Sequence, residues 1–153
     1  MSKVTPVDRP KASQPQTILL VEDDPFIKLL LSKDLQERGY KVLQANNSKE
    51  ALQLCKQHAG PIHLLLTDLL LPPNRMQMAT SAVRQPSMHG VELMRCVVAS
   101  RPDIRVILMS GHSDEELKAM QVFREGKPFL RKPINLDVLL RTVHEVLSKP
   151  AQI

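Results

Sequence analysis

The chain has 153 residues, 42% hydrophobic and 24% charged, with 21 Lys and Arg against 16 Asp and Glu for a formal charge of +5. That length makes one domain the default, and the balance of apolar and charged residues is that of a globular protein. No apolar stretch approaches the roughly 18 residues of a membrane span, the first 16 residues lack the apolar centre of a secretory signal, and no basic run is interleaved with aromatics, so no membrane segment and no direct nucleic-acid binding are expected, and the location is expected to be cytoplasmic.

Residues 1–15 carry three prolines among polar residues and are expected to form a flexible leader. Ile18-Leu19-Leu20-Val21 is a short apolar run of the kind found in strands buried on both faces, and it ends in Glu22-Asp23-Asp24. Asp24 before Pro25 has the form of an N-cap with proline in the first turn, and Phe26, Ile27, Leu30, Leu31 and Leu35 recur at helical spacing until Gly39. A strand over 40–45 and a polar turn at Asn46-Asn47 follow. Ser48 is placed as the cap of a helix to about residue 58, with Ala51, Leu52 and Cys55 on one face.

Gly60-Pro61 then breaks the chain before the run 62–68, a buried strand that delivers a carboxylate, Asp68, at its end. The stretch 72–89 is proline-bounded, methionine-rich and without a clear period. A helix over 90–100 turns Val91, Met94, Val97 and Val98 inward and ends at Arg101-Pro102. The strand 104–109 leads to Ser110, and Ser113-Asp114-Glu115-Glu116 has the S-x-x-E form of a capping box, opening a thin-faced helix (Leu117, Met120, Phe123) to about residue 124. A short strand over 128–131 ends at Lys132-Pro133. Asn135 or Asp137 begins a last helix carrying Leu136, Leu139, Leu140, Val143, Val146 and Leu147. Cys55 and Cys96 fall in apolar helical patterns without metal-ligand spacing and are expected as buried, reduced thiols.

Strand followed by helix, five times over, predicts an α/β fold of the flavodoxin-like, doubly wound kind: a five-stranded parallel sheet with helices on both faces. In such sheets chemistry sits at the C-terminal strand ends. Those ends carry Glu22 and Asp23, then Asp68, Ser110 and Lys132. Each alone is ordinary, since acids cap helices, serines make turns and lysines are solvated. Together they form a cluster whose carboxylates repel, by roughly 4 kcal/mol for two charges about 4 Å apart at an effective dielectric near 20. A cation must offset that. All-oxygen donors suit Mg²⁺, or the similar Mn²⁺, rather than zinc. A carboxylate beside such an ion, with an ammonium and a hydroxyl opposite, is equipped for phosphoryl transfer onto the carboxylate.

Val21-Glu22-Asp23-Asp24, Asp68 with Leu71-Pro72, Ser110-Gly111 and Lys132-Pro133 resemble, in that order, the receiver domain of two-component response regulators, over about residues 17–147. The resemblance implies a receiver domain at 16–148 between the leader and a tail at 149–153. It makes Asp68 the phosphoacceptor, with Asp23, Asp68, Glu22 and the backbone carbonyl of Leu70 around Mg²⁺. Lys132 is implied to pair with the phosphoryl oxygens, and its peptide bond to Pro133 to be cis. Ser110 and the aromatic at Phe129 form the switch, which with Phe works by packing alone. Leu70 and His112 are candidate modulators, His112 because it stands where it can approach an attacking water; a solvent-facing histidine is the commoner case.

The resemblance further implies a histidine kinase or histidine phosphotransfer protein as donor, a downstream protein partner, and a monomer or weak homodimer. Such a domain assists its own phosphorylation and dephosphorylation and is not otherwise an enzyme. Only six residues follow Leu147, so the chain is read as a stand-alone regulator or as the receiver of a hybrid histidine kinase. Gly90 stands 22 residues after Asp68, against about eight in the family, which implies an inserted loop within about 73–88. A tolerated surface insertion is favoured over a lid using Arg75 or Arg84. The alternative reading is a degenerate receiver serving as an unphosphorylated interaction module. An unrelated α/β phosphohydrolase would want a second acid two residues after Asp68, where Leu70 stands.

Overall fold

The computed structural model describes residues 15–71, 90–122 and 125–149. The expected leader (apart from Pro15), the 73–88 insert with Arg75 and Arg84, Phe123 and the end of the tail lie outside the described residues. Five strands, β1 (Thr17–Val21), β2 (Lys41–Ala45), β3 (Leu64–Asp68), β4 (Arg105–Ser110) and β5 (Phe129–Arg131), form one sheet in the order β2-β1-β3-β4-β5. All four pairings are parallel. The helices are α1 (Pro25–Glu37), α2 (Ser48–Gln57), α3 (Gly90–Ser100), α4 (Asp114–Ala119) and α5 (Leu136–Ser148). This is the predicted five-stranded, doubly wound architecture.

The two faces of the sheet follow from the alternation of side chains along each strand. Ile18, Leu20, Leu64, Leu66, Ile107 and Met109 pack with Leu31 and Leu35 of α1 and with Leu139 and Val143 of α5. Leu19, Val21, Leu65, Val106 and Leu108 meet Ala51 and Cys55 of α2, Leu93, Met94 and Val97 of α3, and Leu117 of α4. A strand buried on both sides needs apolar residues at every position, which is why β1 and β3 read as unbroken runs. Each fully buried Leu among them contributes roughly 1.5–3 kcal/mol. At the far end of the sheet, the Arg101 guanidinium donates to the carbonyls of Cys55, His58 and Gly60, each at 2.9 Å, and so fastens the end of α2 to the end of α3.

Side-chain caps begin α1, α2, α4 and α5. Asp24 Oδ1 accepts from the Phe26 and Ile27 amides, Ser113 and Glu116 form the expected reciprocal box, and Asn135, rather than Asp137, caps α5. Three expectations are corrected. Asn47, not Ser48, caps α2, accepting from Glu50 N at 2.9 Å, because Asn47 is the residue left in extended backbone just before the helix. Helix α4 ends at Ala119, five residues short of expectation. Gln121 takes a left-handed φ of 61°, and the Gln121 and Val122 amides bond back to the Lys118 and Leu117 carbonyls in a Schellman closure without glycine. Cys55 is buried as expected, but Cys96 is exposed, because it falls on the outer side of α3.

One close approach joins fold to site. Gly90, the first residue of α3, donates to the Leu69 carbonyl at 2.8 Å, and a Cβ there would lie 2.1 Å from the Asp68 carbonyl oxygen. Only glycine lets α3 start against the end of β3. Gly90→Ala is therefore expected to cost on the order of 1–3 kcal/mol, read as a lower urea midpoint; a midpoint equal to wild type would contradict this contact.

Candidate functional site

The strand order reverses between β1 and β3, since the chain leaves β1 towards β2 on one side and returns to β3 on the other. A crevice opens at the C-terminal ends of strands at such a point. Glu22 and Asp23 leave β1 there and Asp68 ends β3. One carboxylate oxygen from each of the three lies within 4.8 Å of the others. Lys132, just past β5, reaches across: its Nζ is 2.7 Å from Asp68 Oδ1 and 2.8 Å from Glu22 Oε1. Glu22 is 0% exposed, Asp68 4%, and Asp23 stands at the open rim.

Four of the strand-end groups named from sequence are thus brought together. Three carboxylates face one ammonium, so the ionised cluster carries an excess of two negative charges. Burial pushes the Asp68 carboxyl up to about 7; Lys132 pulls it down, and the charge of Glu22 pushes it up again. Burial pulls the Lys132 ammonium down, but its bonds to Asp68 and Glu22 outweigh this and hold it above its usual value.

The donor set fits a hard divalent cation. All three side chains offer oxygen only. Glu22 Oε2 accepts from the Asp24 amide at 3.0 Å, whereas the fully buried Oε1 faces the Lys132 ammonium, 2.8 Å away, and has no other partner among the described residues. Buried carboxylate oxygens that share a single ammonium, beside a third carboxylate, are suited to a cation. Leu70, two residues past β3, is half-buried against the core.

Ser110 ends β4, buried, and the chain then turns so that the His112 amide donates to Ser110 Oγ at 3.0 Å; His112 Nδ1 lies 3.4 Å from the same oxygen. Phe129 is half-buried on the side of α2, α3 and α4. The Lys132–Pro133 bond is cis, as expected. Two further residues, Gly90 and Arg131, touch the site's surroundings without a signal in the sequence. Gly90 was noted for spacing but not for its contact with Asp68. Arg131 was not singled out, although it stands two residues from Phe129 on a strand, hence on the same face.

The family model described as "Response regulator receiver domain" matches residues 18–144. Among curated relatives, the sensor kinase CckA of Brucella abortus is 31% identical over 87% of this chain, and the response regulator receiver protein CpdR of the same organism is 28% identical over 85%. The chain spans 13% of the length of CckA, 25% of the transcriptional regulatory protein DctD of Pseudomonas aeruginosa and 95% of CpdR. Among solved structures, the receiver domain of hybrid histidine kinase CckA superposes with a TM-score of 0.64 at 27% identity, covering 86% of this chain and 98% of that one. A CheY-like receiver domain protein from Methanospirillum hungatei gives 0.68 at 26%, covering 88% and 94%. No helix among the described residues is long and apolar enough to cross a membrane.

The raised Asp68 pKa has a consequence for stability. A carboxyl near 7 when folded and 3.8 when free binds more protons in the native state, so its contribution is full below about 4 and is lost as pH rises through about 7. Asp68→Asn mimics the protonated form. In chelator, the variant should gain on wild type between pH 4 and pH 8, by at most ~4 kcal/mol for a shift of about three units. Urea unfolding at the two pH values reads this, and an equal difference at both would show that the carboxyl is not destabilised by its burial.

Proposed function

The chain belongs to the response regulator receiver domain family, and from that premise we propose that it accepts a phosphoryl group on Asp68 from a histidine kinase or histidine phosphotransfer protein, and that the acyl phosphate biases a surface read by a downstream protein. The observation that carries this is the Lys132 ammonium set between Asp68 and Glu22, 2.7 and 2.8 Å away. It is a cation already placed where a phosphoryl group on Asp68 would put its charge.

An Asp68 carboxylate oxygen attacks phosphorus, the bond from phosphorus to the donor imidazole nitrogen breaks, and the imidazole leaves with the electron pair. Lys132 stays beside the new acyl phosphate and exchanges carboxylate oxygens for phosphoryl ones. Burial of Asp68 keeps bulk water from the acyl bond. Glu22, Asp23, Asp68 and the Leu70 carbonyl would hold Mg²⁺ or Mn²⁺. When bound, the ion neutralises the excess negative charge of the cluster and the charge on the transferring group. Ser110 would take a phosphoryl oxygen as hydrogen-bond acceptor, and Phe129, lacking a phenolic oxygen, would respond by packing alone. The receiver unit is proposed to span 16–148, with 73–88 as an insertion in its loop after β3. It is a signalling module whose only chemistry is its own phosphorylation and dephosphorylation.

Incubation with acetyl phosphate and Mg²⁺ should add the mass of one phosphoryl group to the intact chain, and Asp68→Ala should take up none. Lys132→Ala should slow labelling on the order of 10²-fold. Wild type that stays unlabelled would point to the unphosphorylated interaction module instead. His112→Ala is expected to leave acyl-phosphate lifetime within about twofold, its ring being bonded back to Ser110 rather than aimed at Asp68; a larger change, followed by loss of that added mass with time, would make it a modulator of hydrolysis.

A further inference from the structure

We propose that Arg131 is a positioning residue for the switch: its guanidinium latches the loop carrying Ser110 to the strand leading into Lys132, and so sets how readily that loop moves. The inference rests on the reading of Asp68 as phosphoacceptor. Arg131 and Phe129 project from the same face of β5, and the guanidinium carbon lies 5.4 Å from the centre of the Phe129 ring. The same guanidinium donates to the His112 carbonyl at 2.8 Å and reaches Asp114 Oδ1, the first residue of α4, at 3.4 Å. The amide of His112 in turn donates to Ser110 Oγ at 3.0 Å.

His112 is therefore held at both ends, its N–H by the hydroxyl and its C=O by the guanidinium. Movement of Ser110 toward Asp68 draws on the His112 amide, rotates that residue's carbonyl, and strains the bond to Arg131. Release of the guanidinium frees the outer side of the Phe129 ring. One side chain thus joins the two groups of the switch, and a change in either loads its contacts. The ion pair to Asp114 contributes least, since both partners are about half-exposed or more, at 49% and 69%. The planar contacts, to a carbonyl and to a ring, carry the latch. Lysine supplies the charge but neither the fork nor the flat face.

Amide spectra of the ¹⁵N-labelled full chain test this, recorded with Mg²⁺ alone and with Mg²⁺ plus beryllofluoride as the acyl-phosphate mimic. With Mg²⁺ alone, the Ser110, Gly111 and Lys118 amides of Arg131→Ala should lie part-way along the line joining the two wild-type positions. Acetyl phosphate labelling of Asp68 should quicken about three- to tenfold, and Mg²⁺ affinity should stay at the wild-type value, which a damaged site would not show. Arg131→Lys should recover less than half of either effect. The inference is overturned if Arg131→Ala leaves these amides in place and labelling within twofold. It is equally overturned if Arg131→Lys restores both fully, since charge beside Lys132 would then explain everything. A wild type unmoved by beryllofluoride would overturn the receiver reading and this one together, whereas a responsive wild type beside an unshifted variant overturns this one alone.

Discussion

The site is held together by one ammonium shared between two carboxylates that the fold takes out of water. Glu22 and Asp68 end adjacent parallel strands, and without a cation between them their repulsion would work against the pairing of β1 with β3. Lys132 comes from the opposite side of β4, just past a strand of only three residues, and its long stem spans that distance. The compensation is incomplete. Burial leaves Asp68 raised to about 7 even with the ammonium at 2.7 Å, so the cluster is short of positive charge in the state described. A site in that condition has a use for a divalent cation, since one ammonium serves both buried carboxylates.

The backbone makes this cluster possible. A parallel sheet sends every strand's C-terminal end to the same edge, and the reversal of winding between β1 and β3 opens that edge there. Gly90 lets α3 begin against the Asp68 carbonyl, so the end of β3 and the helix α3 are fastened backbone to backbone.

Most of this was legible from apolar runs. Strands buried on both faces need continuous Leu, Ile and Val, so β1, β3 and β4 announced themselves, and the polar residue ending each run named the site. What stayed hidden depended on backbone geometry and on neighbours distant in sequence. The closure of α4 uses a left-handed Gln121, where only a glycine would have signalled a stop. Asn47 and Ser48 are equally good caps by type, and only the extended backbone at Asn47 separates them. Cys96 shares the apolar surroundings of α3 but sits on its outer side, and a helix with so many apolar residues does not declare which side faces in. Gly90 marked a spacing, yet its reason, an oxygen 2.1 Å from a missing Cβ, exists only in three dimensions.

The shortest strand carries two duties because of its period. Leu130 faces the α1 and α5 side, anchored in that core, and Lys132, two positions on, points into the carboxylate cluster. Phe129 and Arg131 take the other parity, against α4 and the loop after β4. A strand of three residues held by one edge pairing has little sheet to resist a small tilt. In the proposed switch, a change in what Lys132 holds would act one residue away on the opposite face, on side chains in contact with the Ser110 loop. The coupling we propose needs no long path through the core, only the alternation of side chains along β5 and a loop that ends on its neighbour.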